Sequence, residues 1–166
     1  MENSKKLEEL KKACLEKKAI ATELYQKIGN GILQRDFKLL IEKYNISEND
    51  KSFEFKIYDD VLEIIDRREA AFLWGFGVIL DNNLRLGDAF KFNNKIYSVS
   101  FIDSITDPQI IIEIEKVILE YNDTIAYLTE NPEYTSYIYH YECDHEELKC
   151  KDIFEVYQNV MNRLDV

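Results

Sequence analysis

Glycine, proline, histidine and cysteine are all scarce in this chain. Its 166 residues include 5 Gly, 2 Pro, 2 His and 3 Cys. So few glycines and prolines leave little room for a disordered linker or a glycine-rich phosphate loop. An odd number of cysteines argues for free thiols in a reducing cytoplasm rather than a disulfide framework. Long apolar runs are missing too. The longest, AAFLWGFGVIL from Ala70 to Leu80, falls well short of the ~20 residues that cross a bilayer. The opening MENSKKLEELKK has no apolar core behind its lysines, unlike a secretory signal. The expected compartment is therefore cytoplasmic, away from membranes.

Catalytic signatures are also lacking. The sequence has no phosphate loop, no His-Glu-x-x-His and no nucleophile elbow. Glu54-Phe55-Lys56 has the acid-x-Lys form of some metal-dependent nucleases. That pattern occurs five times, including Glu9-Leu10-Lys11 and Asp36-Phe37-Lys38, so it is background.

What the chain does have is negative charge. The net charge is −11, unevenly spread. Residues 1–45 hold 10 Lys/Arg and 7 Asp/Glu, whereas the rest hold 11 and 25. Such a balance disfavours direct contact with a nucleic-acid backbone or an anionic membrane and favours a basic partner.

Apolar periodicity organises the chain. Leu7, Leu10, Cys14, Lys17, Ala21, Leu24 and Ile28 step by three and four, predicting a helix over 4–28. Gly29-Asn30-Gly31 is expected to stop it. A second helix then carries Leu33, Phe37, Leu40 and Tyr44, making residues 1–45 a helical hairpin, a candidate subdomain and a candidate homodimer contact. SFEFKIY alternates as a strand. Val61, Ile65, Arg68 and Phe72, preceded by a cap-like Asp60/Glu63 pair, predict a helix over 61–72. LWGFGVIL reads as a buried strand. FKFNNKIYSVSFI reads as a two-residue hairpin around Asn93-Asn94, with Phe90 opposite Tyr97. A helix follows from Asp107-Pro108 to Asn131-Pro132. YTSYIYHYEC is the next strand, with Tyr137, Tyr139, Tyr141 and Cys143 on one face. A last helix is expected from His145, capped by Asp144 with Glu147 and striped by Cys150, Ile153, Tyr157, Val160 and Leu164. The fold class is thus α+β, one domain over 1–166. It has an antiparallel sheet of four to five strands, helices on one face and the N-terminal helical hairpin.

Two groups of residues carry chemistry. His140, Cys143, His145 and Cys150 are the types that hold zinc tetrahedrally. A strand, however, points His140 and Cys143 to opposite faces, and a helix from His145 turns Cys150 into the apolar stripe. No cofactor is therefore the expected state, with a small zinc-binding regulator as the alternative. Cys143 with His145 does not make a nucleophile, because Glu142, Asp144, Glu146 and Glu147 would raise the thiol pKa. No residue is assigned as catalytic. A second alternative, a metal-dependent enzyme, would draw on carboxylates such as Asp59-Asp60 or Asp103 with Asp107, residues that turns and helix caps already explain.

The second group is aromatic and acidic. Tyr134, Tyr137, Tyr139 and Tyr141 precede Glu142, Glu146 and Glu147, and residues 103–155 hold 14 Asp/Glu against 3 Lys/Arg. Tyrosine is enriched at interfaces, and acids among aromatics imitate a nucleic-acid backbone. These residues are the candidate partner contact, although tyrosines alternating in a strand also serve as core. The expected function is a non-enzymatic, acidic protein-binding module. It would be an inhibitor or immunity-type protein, of the sort phages encode against nucleic-acid-binding defence proteins, and would occlude a basic surface.

Overall fold

The computed structural model describes residues 2–46, 53–58, 61–69, 71–80, 83–103, 105–132, 136–143 and 146–164. Ten main elements follow in order: α1 (Glu2–Tyr44), β1 (Phe53–Tyr58), β2 (Val61–Asp66), β3 (Ala71–Leu80), β4 (Ala89–Phe92), β5 (Lys95–Ser98), α2 (Ile110–Glu130), β6 (Tyr137–Cys143), β7 (Glu146–Cys150) and α3 (Ile153–Leu164). They form an α+β protein with one five-stranded and one two-stranded antiparallel sheet. The chain divides into two compact units. The first comprises Met1–Tyr25 and Asn82–Pro132, the second Gln26–Asp81 and Glu133–Val166.

The N-terminal segment is one helix, not a hairpin. Gly29-Asn30-Gly31 fails to break it because none of the three leaves the helical region: among the described residues positive φ occurs only at Asn45, Asn93 and Asn94. Glycine weakens a helix by about 1 kcal/mol relative to alanine without forbidding it. The apolar stripe then resumes at Ile32, Leu33, Phe37 and Leu40, all buried. The stop lies at Asn45, whose φ of 51° takes the left-handed conformation that ends helices.

In the second unit the sheet order is β1-β2-β3-β6-β7. β3 and β6 pair antiparallel from Gly77↔His140 to Leu80↔Tyr137. Residues 82–132 of the first unit are thus inserted between two neighbouring strands. The helix expected over 61–72 is a strand. Leu62, Ile64 and Asp66 are buried while Val61, Glu63 and Ile65 are only partly so, a period of two. The stepping of Val61 and Ile65 mimicked a helix because β2 carries apolar residues on both faces, and its β-branched residues suit a sheet. Opposite Ile64–Ile65 a bulge adds one residue to β3. The C-terminal half of α1 lies over this sheet, with Phe37 and Phe55 rings 5.8 Å apart. It also meets α3, with Tyr44 stacked on Tyr157 at 4.4 Å.

The last helix begins eight residues later than expected. β7 occupies 146–150, and the cap is Asp152, whose Oδ1 accepts the Glu155 N–H at 2.9 Å. Asp144/Glu147 and Asp152/Glu155 have the same capping spacing, and strand pairing with β6 claims the first pair's segment. The stripe of Ile153, Val156 and Val160 is buried.

The first unit is built on α2, the β4–β5 hairpin and the N-terminal half of α1. Cys14, Phe90, Phe92, Ile114, Val117 and Tyr121 are central to its core, with Leu7 and Leu10 packed against it. The N-terminal part of the α1 stripe is therefore covered within the chain. Asn93 and Asn94, at φ 49° and 63°, make the tight turn that matches strand twist. Phe90 faces Tyr97 in the expected register, ring centroids 6.1 Å apart. None of the described helices is long and apolar enough to cross a membrane.

Candidate functional site

Three arrangements combine polar chemistry with defined geometry. The first lies in the second unit, where β6 faces α1. Asp36 sits on the apolar face of α1 between Leu33 and Leu40 and is buried. Tyr139 donates its hydroxyl to Asp36 Oδ2 at 2.7 Å, and Tyr137 donates to the same oxygen. Arg35 donates from Nε to Asp36 Oδ1 at 3.3 Å and from its terminal nitrogen to the Tyr137 hydroxyl at 2.8 Å. A buried carboxylate persists only with such a set of donors. Burial, then the hydrogen bond to Asp36, pushes the Tyr137 hydroxyl up to about 12. Burial raises Tyr139 further in the same direction. Both hydroxyls therefore remain neutral donors at physiological pH and are not activated as bases or nucleophiles.

Tyr139 is fully buried, so it supports the sheet and does not present itself to a partner. Tyr137 and Tyr141 are partly exposed. Tyr141 packs on Phe76 with ring centroids 5.5 Å apart and edge-on to Trp74 at 6.5 Å. Tyr134 lies outside the described residues.

The second arrangement is the edge hairpin β6–β7. Glu142 pairs with Glu147, and Cys143 with Glu146, in the strand register. Glu147 is exposed, with its Oε1 3.0 Å from His140 Nε2 and 3.3 Å from Lys149 Nζ. The hydrogen bond from Lys149, then the charge of Lys149, holds its carboxyl below the usual range. His140 and Cys150 do not converge. Cys150 pairs with Tyr139 in the register and shares its face, whereas His140 pairs with Lys149 on the other. The Cys150 thiol is buried, accepts from Asn159 Nδ2 at 3.4 Å, and is raised by burial. His145 and Asp144 lie outside the described residues. Among the described residues no group of three or more His, Cys, Asp or Glu is arranged to hold a metal ion. Asp103 instead pairs with Lys11 at 3.1 Å, and Asp107 accepts the Gln109 N–H at the start of α2. Asp59 and Asp60 are outside the described residues.

The third arrangement was not foreseen. In the first unit the segment 83–89 is stapled to α2 by Arg85. Its guanidinium pairs with Glu120 and donates to the carbonyls of Gly87 at 3.2 Å and Ala89 at 2.9 Å. Its backbone N–H donates to Thr124 Oγ1 at 2.8 Å, and the Tyr121 hydroxyl donates to Gly87 O at 2.6 Å. Beside this staple opens a cleft of about 590 Å³, lined among others by Asn83, Leu84, Glu120, Asp123 and Tyr127.

Sequence reasoning missed Asp36 and Arg85. Asp36 was legible as the one acid among Leu33, Phe37 and Leu40 on an otherwise apolar helix face, the sign of a buried polar group needing partners. Arg85 had no such signal, because its acceptors are backbone carbonyls. No protein family, curated protein or solved structure matches the chain.

Proposed function

We propose that this is a non-enzymatic, acidic protein-binding module of the inhibitor or immunity type, acting in the cytoplasm by occluding a basic surface on a nucleic-acid-binding protein. The carrying observation is the placement of the acid. The second unit holds 11 Lys/Arg against 19 Asp/Glu. Four of its acids, Glu142, Asp144, Glu146 and Glu147, fall within six residues of sequence around the connection from β6 to the edge strand β7. Charge of one sign at a sheet edge repels a second copy and steers a basic surface. Tyr139 is inside, and the partly exposed Tyr137 and Tyr141 share its sheet face, opposite the one that carries Glu147, so they would add to the contact only from the rim. Glu142, Glu146 and Glu147 supply the charge.

The test is affinity capture from nuclease-treated host lysate, followed by association kinetics with the captured partner. The on-rate should fall as salt rises from about 50 to about 500 mM, over which the screening length shrinks severalfold. Reversing Glu142, Glu146 and Glu147 to Lys should lower it by roughly tenfold or more. An association rate indifferent to both salt and the reversals defeats this reading.

A further inference from the structure

The acidic module reading leaves one surface of the first unit unexplained. On α2, Ile112 is 48% exposed and Leu119 62% exposed, both large and aliphatic. They lie seven residues apart, and the exposed Ala126 follows after seven more. Seven residues are close to two helical turns, so the three form one stripe about 21 Å long at 1.5 Å per residue. The opposite face of α2, with Ile114, Val117, Tyr121 and Leu128, is the one buried in the core. Helix α2 therefore carries, besides its buried apolar face, a second and narrower apolar stripe that is exposed.

The charges beside the stripe are almost all of one sign. Glu115 lies on one side, Asp123 and Glu120 on the other, and Glu130 at the end, with Lys116 the only base on the helix. No basic residue occupies the last turn. Acids in the C-terminal half of a helix oppose its macrodipole, so this charge does not stabilise α2. A local feature that works against stability points to a use elsewhere. Glu120 is engaged by Arg85, and Glu115 by Lys6 at 3.7 Å. Asp123 and Glu130 make no ion pair with another described residue. Asp123 also lines the 590 Å³ cleft with Tyr127, along the same side of the stripe.

Resting on the acidic-module reading, we propose that the outer face of α2 docks a basic amphipathic helix of the partner. The partner's apolar stripe would lie along Ile112, Leu119 and Ala126, and one of its lysines or arginines would enter the cleft to meet Asp123. The occupant's chemistry follows from complementarity. A seven-residue apolar repeat fits an apolar helix stripe, and flanking carboxylates select flanking bases. A second copy of this α2 would bring its own acids against these and is disfavoured.

The test uses two synthetic Leu/Lys peptides of identical composition. One places its leucines on a single helical face, and the other is a scrambled isomer. Binding to the full chain is read by fluorescence anisotropy at about 50 mM salt, where surface charge is weakly screened. The amphipathic isomer should bind at least ~tenfold more tightly than the scrambled one. Ile112→Gln with Leu119→Gln should erase that difference while leaving helix content by circular dichroism unchanged, because both residues are exposed and neither belongs to the buried face of α2. Leu119→Met should retain it, and Asp123→Asn should weaken the amphipathic isomer severalfold. Equal binding of the two isomers overturns the docking surface while leaving the charge-based reading in place. A difference that survives the glutamine pair also overturns it. Failure of both isomers to bind at low salt defeats the acidic module itself, and the docking surface with it.

Discussion

Each unit ties a helix to its neighbours through one polar residue, but the two ties differ in kind. In the second unit Asp36 is a buried carboxylate satisfied mainly by neutral tyrosine hydroxyls. In the first, Arg85 is a partly exposed cation satisfied by two carbonyls and by Glu120, itself half exposed. The buried tie centres on a carboxylate and a tyrosine hydroxyl away from water, and leaving either short of a partner costs about 1–3 kcal/mol. The exposed tie can lose a member and let water replace it. The second unit should therefore be brittle at its tie and the first tolerant, although the first tie has more hydrogen bonds.

The largest effect expected from this contrast is at Tyr139. Tyr139→Ala removes a fully buried ring and one donor to Asp36, and should destabilise by about 4 kcal/mol. Tyr139→Phe, which removes only the hydroxyl, should cost about 1–3 kcal/mol. Peptide-resolved hydrogen exchange should show faster exchange across β3 and β6 with α2 unchanged. Equal acceleration of α2 would mean that the units do not respond separately.

Arg85→Ala should cost less, about 2 kcal/mol, with faster exchange confined to 83–89 and the adjoining turns of α2. Arg85→Lys should not restore it, because an ammonium lacks the planar fork that reaches Glu120 and both carbonyls together. Denaturant midpoints for the three proteins check this. A loss at Arg85 exceeding that at Tyr139→Ala would reverse the proposed contrast.

Alkaline pH sharpens the comparison further. Tyr137 in the second unit and Tyr121 in the first are both raised to about 12 from an ordinary value of 10, and Tyr139 is raised as well. A tyrosine raised in the folded state holds its proton longer there than in the unfolded chain. Its contribution is complete below the ordinary value and is lost as pH climbs through the folded one. Two such groups in the second unit against one in the first predict that the second loses stability more steeply between about pH 10 and 12. The gap between denaturant midpoints near pH 9 and near pH 11 should narrow about equally in Tyr137→Phe and Tyr121→Phe, and further when Tyr137→Phe is combined with Tyr139→Phe.

The smallest effect is expected in α1. A Cβ added at Gly31 meets nothing within 4 Å, and its φ is not positive. Gly31→Ala should therefore stabilise by about 0.5–1 kcal/mol. Thermal melts would show it. A loss of stability would mean that the helix needs the freedom glycine provides at that point.

How far the sequence could be read follows from the range of the forces involved. The β4–β5 hairpin, its Phe90–Tyr97 pair, helix α2, strand β6 and the stripe of α3 were all legible. Each is specified by contiguous residues: a turn dipeptide that accepts positive φ, or an apolar repeat with the period of its element. The two-sided apolar pattern of β2 was ambiguous because a helix and a doubly covered strand share it. Capping spacing was present at both Asp144 and Asp152, and only strand pairing with β6 chose between them. The candidate site divides the same way. The acid of the C-terminal third is a matter of composition, and so was visible at once. The burial of Tyr139 against Asp36 and the staple of Arg85 on Thr124 join residues 103 and 39 positions apart in the chain, and the exposure of Ile112 and Leu119 likewise follows from how distant segments pack. Local chemistry determined which elements could form. Which side chains those elements hide, and which they leave facing water, was decided only when distant segments met and excluded it.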